Sequence, residues 1–249
     1  MLRIILSGCS GQMGHACCEI ADKAKDVEIV AGVDPMGCGG GFPVVKSFDL
    51  LSDKADCIID FSHPNALAGL LEYAKKTGTP AVICTTGLSD RQIETIKETA
   101  KVVPIFFSFN MSLGVNLLTE LVAKAATVLE GFDIEIIEKH HNQKLDAPSG
   151  TALMLADSIK DALNTNVKYE YDRHARRQKR PADEIGIHSV RGGNIVGEHE
   201  VRFCGNDEVV SIKHTATSKK NFATGAISAA RFLQDKPAGL YSMKELVKK

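Results

Sequence analysis

Two adjacent histidines and a nearby lysine, His140, His141 and Lys144, form the part of the sequence best suited to acid–base chemistry. Histidine titrates near neutral pH, so its ring can donate or accept a proton during a reaction. Lysine can act as a proton donor or as the partner of an anion. Surface histidines in a polar loop would give the same local pattern, but the density of such groups here favours a reaction site.

A helix start follows the lysine and supplies groups that bind anions. Ser149 precedes Gly150 and Thr151 at the expected beginning of this helix. The first backbone N–H groups of a helix have no partner within the helix, and the helix dipole is positive at this end. These groups favour a carboxylate ligand. A helix that is simply capped by serine is the alternative interpretation.

A glycine-rich turn near the N-terminus has the spacing of a dinucleotide-binding loop. Gly8, Gly11 and Gly14 follow the pattern Gly-x-x-Gly-x-x-Gly between an expected strand and an expected helix. In such loops one glycine allows the tight turn, one lets the backbone approach the pyrophosphate, and one permits close packing of helix and strand. The pattern predicts a nicotinamide or flavin cofactor, with nicotinamide favoured.

An aspartate at the end of the next expected strand supports the same prediction. Asp34 lies 20 residues beyond Gly14, where a carboxylate can bind both hydroxyl groups of a ribose. An aspartate that only forms a turn before Pro35 is the alternative. The two features together indicate a dinucleotide site.

The elements that must position these residues alternate between strand and helix over roughly the first 110 residues. The expected strands cover residues 2–6, 27–33, 57–61, 80–84 and 103–107. The expected helices cover residues 11–24, 64–77 and 90–100. Because the strands are apolar throughout, this order predicts an α/β fold, a parallel sheet with helices on both faces.

The pattern changes after Asn110. An amphipathic helix is expected over residues 113–129, with an apolar face formed by Leu117, Leu118, Leu121, Val122 and Ala125. A strand at 132–138 and a helix at 150–163 follow, then strands at 184–191, 197–203 and 208–214 and a last helix at 222–233. Three strands in succession predict a second domain with a mixed or antiparallel sheet.

Composition disfavours several classes of protein. The chain has 249 residues, and its net charge of −1 comes from 30 basic and 31 acidic residues. This balance gives no basis for nucleic acid or an anionic membrane as the main partner. No apolar run approaches the roughly 20 residues of a membrane-spanning helix. The basic run at 173–180 favours a solvated loop, with steering of an anionic substrate or nucleic-acid binding as alternatives.

Seven cysteines occur without a Cys-x-x-Cys pair, which argues against a disulfide framework and against a zinc site. They are Cys9, Cys17, Cys18, Cys38, Cys57, Cys84 and Cys204. Most lie in apolar stretches and are expected to be reduced core residues, which favours a cytoplasmic location. No metal site is expected.

Several segments together resemble the family of 4-hydroxy-tetrahydrodipicolinate reductase, also called dihydrodipicolinate reductase. The most specific is residues 138–152, Glu-Lys-His-His-Asn-Gln-Lys-Leu-Asp-Ala-Pro-Ser-Gly-Thr-Ala. The other matching segments are the glycine turn and residues 60–64, 85–87, 110–116, 191–199 and 221–226. The resemblance extends over nearly the whole chain.

The resemblance implies an enzyme that reduces 4-hydroxy-tetrahydrodipicolinate to tetrahydrodipicolinate with NADH or NADPH, in the diaminopimelate route to lysine. A Rossmann-like N-terminal domain, residues 1–111, would be completed by a C-terminal helix at about 217–249. Residues 112–216 would form an α+β domain with a mixed sheet that binds the dicarboxylate substrate and builds a homotetramer. Neither nucleic acid nor a membrane would be a partner.

The same resemblance implies roles for individual residues. His140 would be the acid–base residue and Lys144 the proton donor. The substrate carboxylates would be held by His141, Ser149, Gly150 and Thr151. The cofactor would lie against Gly8, Cys9, Ser10, Gly11, Gln12, Met13, Asp34, Cys84, Thr85, Thr86, Ser108, Phe109, Asn110 and Met111. The family often has glycine where this chain has Cys84, and a contact made by the backbone there would survive the change.

Cofactor preference is predicted from two positions. NADP use generally needs a cation for the 2′-phosphate, and many members of this family carry arginine after the acidic residue and a basic residue in the glycine turn. This chain has Pro35 and Gln12 there, and Asp34 would repel a 2′-phosphate. NADH is therefore expected to be used at least as well as NADPH.

Three other functions stay open from the residues alone. Another two-domain nicotinamide-dependent reductase, acting for example on aspartate or a semialdehyde, would need a different proton-transfer segment. A non-catalytic dinucleotide-binding regulator would keep the glycines but would have little need for His140, His141 and Lys144 together. A nucleic-acid-binding module is disfavoured by the near-neutral charge.

Overall fold

The computed structural model describes residues 1–37, 41–52, 54–174 and 176–247. Cys38 and Ala175, which lie in the predicted cysteine set and basic run, fall outside the described residues. The chain divides into two compact units. The first contains Met1–Leu113 together with Lys219–Lys249, and the second contains Gly114–Ser218.

Strands and helices alternate in the first part of the chain. The strands are β1 (Leu2–Ser7), β2 (Val27–Val33), β3 (Val44–Val45), β4 (Cys57–Asp60), β5 (Ala81–Ile83) and β6 (Pro104–Phe107). The helices are α1 (Gln12–Ala21), α2 (Leu67–Thr77) and α3 (Asp90–Ala100), with 3₁₀ turns at Phe48–Leu50 and Pro64–Ala66. Gly78, in the left-handed conformation, ends α2, and a capping box between Ser89 and Gln92 begins α3.

The second unit forms a five-stranded mixed sheet with two helices. Its elements are α4 (Leu113–Val128), β7 (Asp133–His140), α5 (Gly150–Leu163), β8 (Lys168–Glu170), β9 (Glu184–Arg191), β10 (Gly197–Cys204) and β11 (Val209–Ala216). The strand order is β11-β10-β7-β9-β8. Strand β10 is antiparallel to β7 and β11, whereas β9 is parallel to β7 and β8. The predicted α+β region with a mixed sheet is confirmed.

The chain returns to the first unit through α6 (Lys220–Leu233), β12 (Gly239–Tyr241) and α7 (Met243–Val247). Strand β12 pairs with β6 and completes a parallel sheet in the order β12-β6-β5-β4-β1-β2-β3. Arg231 of α6 binds both carboxylate oxygens of Asp26 at 2.8 and 3.0 Å, and Lys220 pairs with Glu19 of α1. The C-terminal segment is therefore a structural part of the first unit.

Apolar side chains cover both faces of the seven-stranded sheet. Ile5 and Leu6 of β1 point to opposite faces, as successive strand residues must, and both are fully buried. Leu6 packs in the cluster that contains Ile227 of α6, and Ile5 packs in the cluster that contains Leu70 of α2 and Ile96 of α3. Burial on both faces confirms the predicted Rossmann-like arrangement.

The buried face of α4 differs from the prediction. Leu117 and Leu121, predicted to face the core, are 48% and 46% exposed. The buried side chains of this helix are Val115, Leu118, Val122 and Ala126. They recur every three or four residues, so they form one stripe. Because α4 carries apolar residues around most of its circumference, its sequence does not select this stripe over the predicted one.

Four short elements are not predicted by the sequence. Strands β3, β8 and β12 contain two or three residues, and α7 contains five. Periodicity needs longer segments to distinguish strand from helix. These elements are set by pairing with longer neighbours, as β12 is by β6.

Candidate active site

The glycine turn lies between β1 and α1 at the carboxyl end of the parallel sheet. Gly8 has a φ of +77°, and a Cβ atom there would lie 2.6 Å from the carbonyl oxygen of Phe61. A Cβ atom at Gly14 would lie 2.5 Å from the carbonyl oxygens of Gly8 and Cys9. The folded chain itself therefore requires glycine at these two positions.

Gly11 differs, because the folded chain would accept a side chain at this position. It is the N-cap of α1, with φ −81° and ψ 168°, a conformation open to any residue. A Cβ atom there would meet only the carbonyl oxygen of Gly8, at 3.4 Å. No side chain caps this helix start, and Gly11 and Gln12 are exposed. The N–H groups at this exposed helix start lie beside a glycine that the fold does not require. Such an arrangement fits the binding of a pyrophosphate.

Asp34 follows β2 directly and lies beside the glycine turn. Its carboxylate accepts hydrogen bonds from the backbone N–H groups of Ser10 and Met36, both at 3.0 Å. Each carboxylate oxygen can accept more than one hydrogen bond, so Asp34 retains capacity for ribose hydroxyl groups. Sequence and structure thus bring together the two features on which the dinucleotide prediction rests.

A buried aspartate without a predicted role organises the neighbouring strand ends. Asp60, the last residue of β4, is 1% exposed. Its carboxylate accepts hydrogen bonds from the hydroxyl groups of Ser62 at 2.5 Å and Thr85 at 2.6 Å. Thr85 is one of the predicted cofactor contacts, so Asp60 fixes the side chain of a residue for which a cofactor contact is predicted.

The other predicted cofactor contacts differ in exposure. Phe109 is 73% exposed, and Thr86 is exposed as well. The hydroxyl group of Ser108 donates a hydrogen bond to the carbonyl oxygen of Asn110 at 3.1 Å. The side chains of Met111, Cys84 and Cys9 belong to the hydrophobic core. At these three positions a cofactor would meet the backbone.

His140 is the last residue of β7, which extends two residues beyond its predicted end. Alternate residues of a strand share a face, so His140 lies on the same face as Ile134, Ile136 and Glu138. All four are buried. His140 therefore points into the packed interior of the second unit, whereas His141 is partly exposed.

Glu138 is the centre of a buried hydrogen-bond network. It is 0% exposed, and Arg191 of β9 donates to its two carboxylate oxygens at 2.7 and 2.8 Å. Nδ1 of His140 lies 2.6 Å from one oxygen, and the backbone N–H of Ser149 donates to the other at 3.1 Å. Sequence reasoning missed Glu138. The available signal was a carboxylate on the apolar face of an alternating strand.

The network sets the charge and tautomer of His140. Burial raises the pKa of Glu138, but hydrogen bonds outweigh burial and lower its pKa to about 2. The donors are Arg191, His140, Ser189 and Ser149. An ionised carboxylate can only accept, so His140 carries its proton on Nδ1. Burial lowers the pKa of His140 against the opposing effect of Glu138, which leaves the ring neutral near pH 7 with Nε2 as an acceptor.

A second buried histidine packs against the first. His199 of β10 is the register partner of Glu138, and its ring lies edge-to-face on the His140 ring at 5.1 Å. Burial lowers the pKa of His199 to about 4, with a smaller effect from His140, so His199 is neutral at pH 7. Its Nε2 atom lies 2.9 Å from the hydroxyl oxygen of Ser149. Local sequence does not indicate this contact, because the two residues are 50 positions apart.

The hydrogen bonds of Ser149 are made to other residues of the buried network. Its hydroxyl oxygen accepts a hydrogen bond from the backbone N–H of Ala152 and contacts His199, while its own N–H donates to Glu138. The residue is 2% exposed. At this helix start Gly150 is exposed and Thr151 partly exposed, so these are the predicted carboxylate ligands most open to a substrate.

Lys144 and the start of α5 converge on a carboxylate within the chain. Nζ of Lys144 lies 2.7 Å from an oxygen of Asp146. The hydrogen bond from Lys144, and a smaller effect of a backbone hydrogen bond from Gly150, lower the pKa of Asp146. Arg191, which binds Glu138 beside His140, also donates to the carbonyl oxygen of Asp146 at 2.6 Å. Arg191 thus ties the loop that carries Lys144 to the buried network of His140, next to the start of α5.

Three of the four arginines of the basic run make ion pairs, while Arg177 is exposed to solvent. Arg173 pairs with Glu184, and Arg176 pairs with Glu170. Arg180 binds two carboxylates of β7, Glu135 at 3.0 Å and Asp133 at 2.7 Å. The charges of these three arginines are balanced within the unit, which leaves Arg177 and Lys179 as the exposed basic side chains of the run.

Several features concern the described ranges as a whole. No group of three or more His, Cys, Asp or Glu side chains there could hold a metal ion, and no disulfide joins the cysteines described.

Burial raises the pKa of Cys17 to about 12 and also raises the pKa of Cys57 and Cys84, so these thiols stay protonated. No helix in the described part of the chain has the length and apolar character needed to cross a membrane.

Comparison with known proteins assigns both units. The family model described as dihydrodipicolinate reductase, N-terminus, matches residues 2–111, and the one described as dihydrodipicolinate reductase, C-terminus, matches residues 114–247. A 4-hydroxy-tetrahydrodipicolinate reductase from Caldanaerobacter subterraneus subsp. tengcongensis is 50% identical over 249 residues, which cover 100% of this chain and 99% of that protein. The protein of the same name from Clostridium tetani is 47% identical, with 98% and 96% covered.

A solved structure shares the fold. The dipicolinate-bound dihydrodipicolinate reductase from a Paenisporosarcina species has a TM-score of 0.81 at 23% identity, with 97% of each chain covered. The two family models together account for nearly all of the sequence, and the relatives match it from end to end. The resemblance seen in the sequence is confirmed: the chain belongs to the dihydrodipicolinate reductase family.

Proposed function

We propose that this chain reduces 4-hydroxy-tetrahydrodipicolinate to tetrahydrodipicolinate with a nicotinamide cofactor, in the diaminopimelate route to lysine. Membership of the family supports this reaction. The structural observation that carries the proposal is the contact of Lys144 with Asp146 just before α5, in a loop that Arg191 ties to Glu138, the partner of the buried His140 ring. A reductase acting on a cyclic dicarboxylate needs both an anion site and a proton donor.

The proposed reaction consumes one hydride and one proton and releases the hydroxyl group of the substrate as water. Loss of water, in which the C4 hydroxyl group leaves with a proton of the adjacent carbon, gives the conjugated cyclic imine. When bound, the reduced nicotinamide would supply the hydride to C4 of this imine. The adjacent carbon must then be protonated, and Lys144 is the proposed donor. His140 is the proposed acid–base residue through Nε2. His141, Gly150 and Thr151 would bind the substrate carboxylates, while Ser149 would act by fixing the helix start.

We assign dinucleotide binding to the predicted domain of residues 1–111 with 217–249, which nearly coincides with the first unit, and substrate binding to residues 112–216. The uncapped start of α1, the open position at Gly11 and the carboxylate of Asp34 support the first assignment. They also support use of NADH at least as well as NADPH, because Asp34 would repel a 2′-phosphate while Gln12 and Pro35 offer no cation. Measuring kcat/KM for both cofactors at one salt concentration tests this preference, and an approximately tenfold advantage of NADPH would refute it.

We further propose a cytoplasmic homotetramer built by the second unit. The protonated core thiols are compatible with a reducing compartment. Light scattering checks the oligomeric state, and a mass of four times the 26.9 kDa chain is expected. A monomer at working concentration would contradict this part of the proposal.

The reaction is tested by NADH oxidation with freshly prepared 4-hydroxy-tetrahydrodipicolinate. Lys144→Ala is expected to lower kcat by about 10²- to 10⁴-fold, the range typical of acid–base groups. The matched control is Lys168→Ala, which removes another lysine paired with an aspartate, Asp183, at 3.1 Å. It should leave kcat unchanged. His140→Ala should lower turnover more than it weakens NADH binding. A Lys144→Ala rate within about threefold of the parent would remove this lysine from the mechanism.

A further inference from the structure

Two glutamates of strand β7, Glu135 and Glu138, each contact one arginine and one histidine, but the two groups of side chains differ in burial. Glu135 contacts Arg180 at 3.0 Å and His188 at 2.7 Å. Glu138 contacts Arg191 through both of its carboxylate oxygens and Nδ1 of His140, accepts the N–H of Ser149, and is 0% exposed. His188 is 46% exposed, whereas His140 is buried. Burying a carboxylate and an imidazole beside an arginine whose side chain is only 19% exposed is costly unless the charges are paired, so the inner group requires an explanation.

We propose that Glu138 is a positioning residue for the reaction: its carboxylate, clamped by Arg191, holds the His140 ring with the proton on Nδ1 and directs Nε2 to the reacting proton. This inference rests on the acid–base role of His140 under the proposed function. The carboxylate contacts only Nδ1, at 2.6 Å. Within the described residues no hydrogen bond engages Nε2 of His140. That atom lies against Gly197, where a Cβ atom would be 3.1 Å away.

Glu138 also links the histidine to the proposed substrate site. One of its oxygens faces Nδ1 of His140, and the other accepts the N–H of Ser149 at the start of α5. Arg191 donates to both oxygens and to the carbonyl oxygen of Asp146, in the loop that carries Lys144. A single clamped carboxylate therefore fixes the ring, the helix start and the intervening loop relative to one another.

The groups around His140 define the expected pH response. Glu138 on its own strand raises the pKa of His140. Burial, Lys144 of the following loop and Arg191 of β9 lower it. The neutral ring of His199, from β10, packs against it. Removing the charge of Glu138 leaves only the effects that lower the pKa of His140. The limb of the pH–kcat profile that reports the titration of His140 must therefore move to lower pH.

The test is Glu138→Gln, which keeps the shape of the side chain and removes its charge. We expect kcat to fall by about 100-fold, since a histidine held in the wrong tautomer loses most of its acid–base contribution. The His140 limb, identified as the limb that disappears in His140→Ala, should shift to lower pH. NADH affinity should not change. The matched control, Glu135→Gln, removes the outer carboxylate of the same strand and should leave kcat and the limb unchanged.

A second variant and a direct measurement keep the test decisive if Glu138→Gln folds poorly. Glu138→Asp retains the charge for Arg191 but shortens the side chain by one methylene group, which breaks the contact with Nδ1. It should lower kcat with a smaller shift of the limb. Long-range ¹H–¹⁵N spectra of ¹⁵N-histidine-labelled protein report the tautomer directly. The wild type should carry the His140 proton on Nδ1, and both variants should show a mixture.

The outcomes separate this inference from the proposed function. Loss of turnover in His140→Ala, together with an unchanged limb and an unchanged Nδ1 signal in both Glu138 variants, would overturn the positioning role alone. Full turnover in His140→Ala would instead refute the acid–base role of His140, and the positioning role with it.

Discussion

Replacing Gly11 by alanine tests whether the glycine turn binds the pyrophosphate of the cofactor. The φ of −81° and ψ of 168° suit alanine, and the new Cβ atom would meet only the carbonyl oxygen of Gly8 at 3.4 Å. The folding cost is that of placing alanine at an N-cap, about 1 kcal/mol or less. For a chain of this size such a loss lowers Tm by about 2–4 °C.

Cofactor binding should change much more than folding. The methyl group would stand at the uncapped, exposed start of α1, where a phosphate oxygen must approach the backbone N–H groups within hydrogen-bond distance. Losing one hydrogen bond to a charged phosphate costs about 1.5–3 kcal/mol. That corresponds to a rise in the Kd for NADH of roughly 10- to 150-fold.

The assay is a fluorescence titration of NADH combined with thermal unfolding. Gly69→Ala, in α2 of the same unit, is the control for a glycine with room for a methyl group, and it should bind NADH normally. Gly14→Ala should instead fail in folding, because its Cβ atom would overlap carbonyl oxygens at 2.5 Å. If Gly11→Ala bound NADH as tightly as the wild type, the pyrophosphate could not lie on this turn.

Three further predictions concern the second unit. Gly197→Ala places a Cβ atom 3.1 Å from Nε2 of His140 and should lower kcat by about tenfold or more without weakening NADH binding; an unchanged kcat would show that Nε2 does not exchange the proton. Burial lowers the pKa of His199 from 6.5 to about 4, so between these values the unfolded chain binds a proton that the folded chain does not. Stability should therefore fall as pH drops through this window, and His199→Gln should show a weaker loss of Tm between about pH 7 and 5; equal slopes would contradict the burial argument. Ser149→Ala removes the cap of α5 and should lower the free energy of unfolding by about 1 kcal/mol in urea titrations, whereas no change would mean that the cap contributes nothing.

The sequence predicts the fold well where long elements repeat. Apolar strands alternating with helices identify the parallel sheet, and the glycine turn falls between β1 and α1 as its spacing requires. The apolar face of α4 is predicted less well. Leu117 and Leu121 are as apolar as Leu118 and Val122, so only packing against the sheet decides which pair is buried.

The predicted site is incomplete for a related reason. His140 and Lys144 are four residues apart and recognisable by residue type. The partner that clamps Glu138, Arg191, lies 53 residues away and reaches it because β7 and β9 pair in parallel with His140 opposite Arg191. Strand register of this kind is a tertiary property that local sequence does not encode.

The contact between Asp146 and Lys144 has a consequence for how a substrate binds. Under the proposed function, a substrate carboxylate that binds the N–H of Gly150 would exchange with the side chain of Asp146. The exchange would also free the ammonium group of Lys144 from its partner at the moment when a proton donor is needed. Such a swap of near-equivalent anions would release little free energy, so it would favour rapid turnover of the ligand.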